Sequence, residues 1–390
     1  MKYGVPQERD WNALSDEEFR AIVRGDFEAH YPKAQRFPPR RLRWSENKDW
    51  YLRMARKGWI AYGWPLEYGG MGLAPAKLLI FLEEQERCGI VRFQDHGIIM
   101  VGPILIRFGT EAQRRKYLPP ILSCEHLWCQ GYSEPDAGSD LASLRTQARL
   151  EGGEFVINGS KIWTTLAIDA NHIFLLARTD PAAKKQEGIS FLLVDMASPG
   201  ITVRPIRDMA GHEELCEVFF DNVRTPADNL VGELNRGWTI AKSLLGIERI
   251  HVGSPKLPEY GLSVLASLAR ARGLMADPVF RDKFIQLKLD VAHLADIYSE
   301  FTAIVERGEA LGPDVSLLKI WATETFQRIA DLTVEAAGAC GGLAGDVAVG
   351  DEFINVLAPY YKARTPTIYG GSNEIQRNIL AKQVLDLPSN

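Results

Sequence analysis

Three short segments carry residue types that can do chemistry. The first reads Gln130-Gly131-Tyr132-Ser133-Glu134-Pro135-Asp136-Ala137-Gly138-Ser139-Asp140. Hydroxyls and main-chain amides at the end of a strand, beside Gly138, suit a polar planar ligand and a phosphate. The second reads Lys161-Ile162-Trp163-Thr164-Thr165 and follows an Asn158-Gly159 pair that predicts a turn. There Trp163 can cover an aromatic ring and Thr165 can donate a hydrogen bond to it. The third, Tyr369-Gly370-Gly371-Ser372-Asn373-Glu374, precedes a helix expected to begin near Ile375. Exposed N–H groups at a helix start attract anions. Each segment also has a plain structural reading: turn glycines, a core tryptophan, a helix entry.

The common catalytic signatures are missing. No Gly-x-Gly-x-x-Gly follows a strand, and there is no Walker A run, no Gly-x-Ser-x-Gly and no His-Glu-x-x-His. This argues against nicotinamide, kinase and serine-hydrolase chemistry. The cysteines, Cys88, Cys124, Cys129, Cys216 and Cys340, are few and odd in number, so a disulfide framework is not expected. Cys124, His126 and Cys129 lie close together but lack a second ligand pair at zinc spacing, and no metal is expected. His96 and His172 sit in apolar contexts and read as core histidines.

The elements that must position these segments change character twice along the chain. Residues 1–125 read as an all-α domain, with capping boxes at Ser15/Glu18 and Thr110/Gln113. Residues 76–88 have helical composition ending at Gly89, and Pro119-Pro120 closes the region. Residues 126–234 read as an antiparallel β-domain. Short β-branched and aromatic runs at 155–157, 172–177, 189–194, 201–203 and 217–220 alternate with turn signals such as Gly152-Gly153 and Pro199-Gly200. Residues 235–390 return to helices at 263–272, 279–306, 316–337 and 375–385, a four-helix-bundle-like α domain. The fold class expected is therefore α+β in α–β–α order.

The chain has 390 residues, enough for two or three domains with a large core. Its net charge of −5 argues against a nucleic-acid partner, which needs a basic face, though a local basic groove stays open. No stretch reaches the ~18–20 apolar residues of a membrane span. The N-terminus lacks a signal core, so the expected address is cytoplasmic.

Taken in order, the motifs resemble those of the acyl-CoA dehydrogenase family over nearly the whole chain. They are Gly63-Trp64-Pro65, Tyr68-Gly69-Gly70, the Ser133-Glu134-Pro135-x-Ala137-Gly138-Ser139-Asp140 segment and Ile375-Gln376-Arg377-Asn378. The resemblance implies FAD held between the middle domain and the C-terminal helices, with a neighbouring subunit completing the site. Carried over by motif, Gln130, Tyr132, Ser133, Trp163 and Thr165 line the flavin. Gly138 and Ser139 lie near the pyrophosphate and the acyl-CoA. Ser372 and Glu374 touch the adenosine half. Arg270 matches a residue reaching a neighbour's FAD, although its surroundings depart from the common Arg-x-x-Phe-Gly pattern. Gly338 stands where many members have a flavin-contacting Gln.

The implied reaction is α,β-dehydrogenation of an acyl-CoA thioester, with electrons passed to an electron-transferring flavoprotein. A homodimer or homotetramer is implied, with a heterotetramer as the variant. Many members carry the base directly after the Tyr of the C-terminal motif, but here that residue is Gly370. A main-chain N–H remains there to polarise the thioester carbonyl. A minority of members place the base on the first long C-terminal helix just before an Arg. The matching pair is Glu248-Arg249, with Glu248 as base and Arg249 orienting the substrate. Gly253, Pro255 and Pro258 follow and are expected to interrupt that helix. The break reads either as a tolerated interruption of a long helix or as a widened pocket for a branched, cyclic or steroid-like acyl group. Two alternatives share the fold: a flavin oxidase or monooxygenase, and a degenerate subunit of a heteromeric dehydrogenase.

Overall fold

The computed structural model describes all residues except 1, 2, 39, 91–95, 308, 350, 351, 389 and 390, and no side chains for 244–251 and 352. By compactness the chain divides into two units, residues 1–244 and 245–390.

The first unit opens with helices α1 (Asp16–His30), α2 (Trp44–Arg56), α3 (Pro75–Arg87), α4 (Gly102–Phe108) and α5 (Glu111–Leu122). Both capping boxes form. Ser15 Oγ accepts from the Glu18 N–H while Glu18 accepts from the Ser15 N–H, and Thr110 and Gln113 repeat the arrangement. Phe19, Val23 and Phe27 recur every four residues along α1 and are fully buried. Arg20 and Arg24 of α1 and Arg87 of α3 converge on the buried Glu84 carboxylate at 2.7–2.9 Å. Burial alone would raise the Glu84 pKa, but these guanidinium groups hold it at about 2. The Pro119-Pro120 pair marks the end of the helical region as expected, lying in the last turn of α5, which stops at Leu122. Only the last turn lacks N–H donors there, and burial of Leu118, Ile121 and Leu122 offsets the loss.

The strands are β1 (Trp128–Gly131), β2 (Gln147–Glu151), β3 (Glu154–Thr165), β4 (His172–Arg178), β5 (Ile189–Asp195), β6 (Ile201–Ile206), β7 (Leu215–Pro226) and β8 (Leu230–Val231). They form one sheet in the order β6-β7-β3-β2-β4-β5-β8, antiparallel except where β1 and β2 pair in parallel with β4. β4 is buried on both faces. Phe174 and Leu176 join the aromatic core of the N-terminal helices, while Ile173, Leu175 and Ala177 face a second core drawn almost wholly from strands. Asn158-Gly159 is not a turn: β3 runs through it with a bulge. Gly159 has φ +145, and Asn158 Oδ1 accepts from the Asn222 N–H of β7 at 2.9 Å.

Helix α6 (Gly237–Val252) spans the boundary of the two units. It stops before Gly253-Ser254-Pro255, and α7 (Lys256–Ala271) begins afterwards, so the expected interruption is present. Pro258 lies in the first turn of α7, where a missing N–H removes no helical bond. The second unit continues with α8 (Pro278–Glu306), α9 (Ser316–Ala337), the strands β9 (Asp346–Val349) and β10 (Glu352–Asn355), α10 (Leu357–Lys362) and α11 (Asn373–Gln383). α7, α8 and α9 share a core through Leu265, Leu287, Val291 and Ile329, with Ile354 of β10 added to it. The antiparallel pairing of β9 with β10 was not legible in the sequence. No helix among the described residues is long and apolar enough to cross a membrane.

Candidate functional site

In the first unit, β1 delivers Gln130 and then hands the chain to Tyr132 and Ser133. Tyr132 is buried, its ring edge-on to Phe174 at 5.8 Å, and Gln130 and Ser133 are half-buried. A tight loop follows: the main chains of Glu134 and Ala137 bond each other in both directions at 3.0 Å, with Pro135 preset for the corner. Gly138, Ser139 and Asp140 emerge exposed, and a Cβ added at Gly138 would meet nothing within 4 Å. Another molecule can therefore approach that backbone closely.

This loop is fastened to β3. The Ile162 N–H donates to Ser133 O at 2.9 Å. Lys161, fully buried, donates to Tyr132 O at 3.1 Å and to Glu134 Oε1 at 2.7 Å. Glu134 also accepts from the N–H groups of Arg145 and Thr146. Burial alone would raise the Glu134 carboxyl, but the Lys161 ammonium and these donors hold it below its usual value. Burial pushes Lys161 down to about 8 against the pull of Glu134. Both groups are charged at neutral pH, a satisfied buried pair.

Two residues beyond Lys161 the ladder slips by one position. Trp163 sits in that bulge with φ +63 and is 55% exposed. A bulky residue in the left-handed region costs on the order of 1–2 kcal/mol. An indole held there in solvent gains no core packing to offset that cost. Its flat face, next to Ile162 whose N–H is fastened to Ser133 O and two residues before half-buried Thr165, can cover a planar ring. The residues present thus suit a flavin dinucleotide.

In the second unit, α11 begins at Asn373, two residues earlier than expected, because Ser372 Oγ caps it by accepting from the Ile375 N–H. The preceding Gly370 and Gly371 both adopt positive φ, +65 and +80. No side chain at 370 supplies a carboxylate. Sequence reasoning missed Lys319 and gave Gln376, quoted within its motif, no part in holding this turn. Lys319 of α9 donates to Gly371 O at 2.7 Å, and Gln376 donates to Gly370 O at 3.1 Å and Gly371 O at 3.2 Å. A lysine among the apolar positions of the 316–337 helical pattern was the available signal, and its side chain is 1% exposed. Glu374 is exposed at the helix start.

Arg270 is exposed and bonds along its own helix, to Ala266 O and Ser267 Oγ. Its neighbour Arg272, not singled out from sequence, donates to Ala337 O instead. Gly338 follows with φ +55, and a Cβ there would lie 3.2 Å from the Arg272 guanidinium. That backbone and that neighbour explain the glycine in place of a longer residue. Glu248, Arg249 and His251 fall on α6, and their side chains lie outside the described residues. Among the described residues, no three His, Cys, Asp or Glu side chains gather as metal ligands.

Three family models match the chain. They are the N-terminal domain of acyl-CoA dehydrogenase over residues 15–125, the middle domain over 129–223 and the C-terminal domain over 235–385. The sequence is 39% identical to acyl-CoA dehydrogenase IpdE1 of Mycobacterium tuberculosis, covering 95% of this chain and 98% of the relative. The fold is similar to that of the Tcur3481-Tcur3483 steroid ACAD, with TM-score 0.87 and 31% identity over 98% of this chain and 100% of the other. It is also similar to the ChsE4-ChsE5 complex of Mycobacterium tuberculosis, with TM-score 0.83 and 30% identity over 96% and 98% of the two chains.

Proposed function

Because this chain belongs to the acyl-CoA dehydrogenase family, we propose that it removes hydrogen from Cα and Cβ of a bulky or branched acyl-CoA thioester with bound FAD, leaving the 2-enoyl-CoA, and that an electron-transferring flavoprotein takes the electrons. The observation that carries the redox reading is Trp163, an indole kept in solvent at the expense of backbone strain. When bound, FAD supplies the acceptor for the hydride that leaves Cβ.

The chain's own residues do the rest. Trp163 covers one face of the ring, with Gln130, Tyr132, Ser133 and Thr165 around it. Gly138 and Ser139 take the pyrophosphate and the acyl-CoA, Ser372 and Glu374 the adenosine half, and Arg270 a neighbour's FAD. The α-proton is a poor acid, so the Gly370 N–H holds the thioester oxygen as charge gathers on it. Glu248 receives the proton, and Arg249 orients the substrate. The domain limits proposed are 1–125, 126–234 and 235–390, in a homodimer or homotetramer located in the cytoplasm.

The acyl class rests on two supports. One relative is described as a steroid ACAD. The helix carrying position 248 also stops at Val252, an interruption that leaves room for a widened pocket. The test is an anaerobic absorption titration of the purified protein with a panel of acyl-CoA thioesters. Flavin bands bleached by ring-bearing or branched thioesters, with slow reoxidation in air, support the reading. Preference for straight C4–C16 chains removes the bulky-substrate part, and rapid reoxidation replaces the dehydrogenase with an oxidase. Glu248→Gln should keep yellow FAD and lose bleaching; near-normal turnover in that variant removes the base assignment.

A second reading is favoured by one specific observation. Two of the similar structures are assemblies of two differently named components, and position 370 lacks the carboxylate. In that reading this chain completes a partner's site. Loss of FAD from the chain purified alone, regained with a partner in native mass spectrometry, selects it.

A further inference from the structure

The Gly370-Gly371 turn is held by more side chains than a helix entry needs. Adjacent glycines at positive φ are the loosest backbone available. Yet three buried polar residues converge on this one. Lys319 and Gln376, each 1% exposed, hold its carbonyls, and Asn373, 2% exposed, ties the helix start to Thr323 at 3.0 Å and Glu324 at 3.1 Å. Upstream, the Tyr369 N–H is anchored on Thr365 O at 3.1 Å. The N–H groups of Gly370 and Gly371 meanwhile find no acceptor among the described residues.

We propose that Lys319 and Gln376 are positioning residues for the acyl thioester, fixing the Gly370 turn so that its main-chain N–H meets the thioester oxygen. This rests on the reading of Gly370 as the carbonyl donor. The peptide group is planar, so a clamp on Gly370 O fixes the whole 370–371 plane, and a clamp on Gly371 O fixes the next. The Gly370 N–H belongs to the 369–370 peptide plane, which lies between the 368–369 plane anchored through the Tyr369 N–H and the clamped 370–371 plane. With both flanking planes held, that N–H has far fewer orientations than an unclamped glycine pair allows. The clamp also explains how the turn tolerates glycine at 370: the order a side chain would supply locally comes from α9 and α11. The Lys319 ammonium, bonded to Gly371 O at 2.7 Å, adds positive charge near where the enolate oxygen develops its negative charge.

The test compares wild type with Lys319→Met, Gln376→Leu and Lys319→Arg, using Lys283→Met, whose ammonium pairs with Glu335 at the surface, as control. Three readouts are taken on the FAD-loaded protein: the vibrational frequency of a carbonyl-labelled acyl-CoA, the separate values of kcat and KM, and amide exchange of residues 368–373 without substrate. Lys319→Met and Gln376→Leu should lose most of the bound carbonyl's downshift and lower kcat ~10- to 100-fold, somewhat less than deleting an oxyanion donor outright. KM should move less than about threefold, since the donor acts mainly on the transition state. Turn amides should exchange faster, and Lys319→Arg should recover part of each effect. If Lys319→Met fails to fold, Gln376→Leu carries the test alone. Variants that keep the carbonyl shift and kcat while wild type bleaches normally overturn this proposal and leave the functional reading intact. A wild type whose flavin bleaches with no thioester overturns both.

Discussion

At the scale of single residues, the site is built from groups that a stability-driven fold would avoid. Trp163 pays backbone strain for exposure, and Lys161 is a charge with no exposed surface. The two make opposite predictions. Trp163→Gly removes an unfavourable φ and an indole that packs little. The FAD-free protein should therefore be unchanged or more stable by up to about 1 kcal/mol, because the relief of left-handed strain outweighs the added chain entropy. FAD affinity should fall at least tenfold. Urea unfolding of the apo form and a flavin titration check both halves; an apo protein weakened by more than 1 kcal/mol means the ring is packing. Lys161→Met leaves the Glu134 carboxylate buried and uncompensated, which should cost about 3–5 kcal/mol. Adding Glu134→Gln should recover part of that loss, a coupling that a double-mutant cycle reads directly.

At the scale of elements, Gly159 shows how a local signal can be right in kind and wrong in place. Its φ of +145 and a Cβ that would lie 2.7 Å from Thr146 Cα demand glycine. Gly159→Ala should destabilise the β-domain by about 1–3 kcal/mol. Thermal unfolding measures this, and a neutral substitution would mean the bulge re-forms elsewhere. Asn-Gly predicts a turn because both residues tolerate positive φ, and a bulge uses the same tolerance while the strand continues. Pro119-Pro120 did mark the close of the helical region, although the last turn of α5 runs through the pair to Leu122 on tertiary burial. Where periodicity and caps agreed, the sequence was legible. Residues 316–337 were assigned to a helix, and α9 has those bounds. The Trp163 and Ser133 segments were singled out from sequence, and the structure leaves Trp163 exposed and Ser133 half-buried. The roles of Lys319 and Arg272 were not readable, because the carbonyls they hold lie 52 and 65 residues away in sequence. Gln376 stood in a quoted motif, but the motif did not record the carbonyls it holds.

At the scale of the whole molecule, the histidines of the first unit decide how the protein meets acid. His96 is buried and its pKa is pushed to about 3 by desolvation, with Arg41 adding to the effect. His172 is pushed to about 4, first by burial and then by His126, whose ring stacks on it at 3.8 Å. His126 is lowered as well, chiefly by burial. The sign follows from proton counting. Between pH 6.5 and 4 the unfolded chain protonates these imidazoles and the folded chain does not, so unfolding takes up protons and stability falls as pH falls. Each fully coupled site adds a slope of up to about 1.4 kcal/mol per pH unit; half-exposed His172 contributes less. Glu84 and Glu46, both held at about 2 in the folded state, lose their contribution from about pH 4.5 downward, so the loss steepens there. The carboxylates alone would leave a plateau from pH 6.5 to 5, whereas the histidines predict decline already in that window. Urea unfolding at half-unit pH steps separates the two. His96→Leu keeps an apolar group against Phe174 without a titrating ring and should flatten the pH 6.5–5 slope by about one proton. A slope unchanged by that substitution would assign the acid sensitivity of this window to groups other than His96.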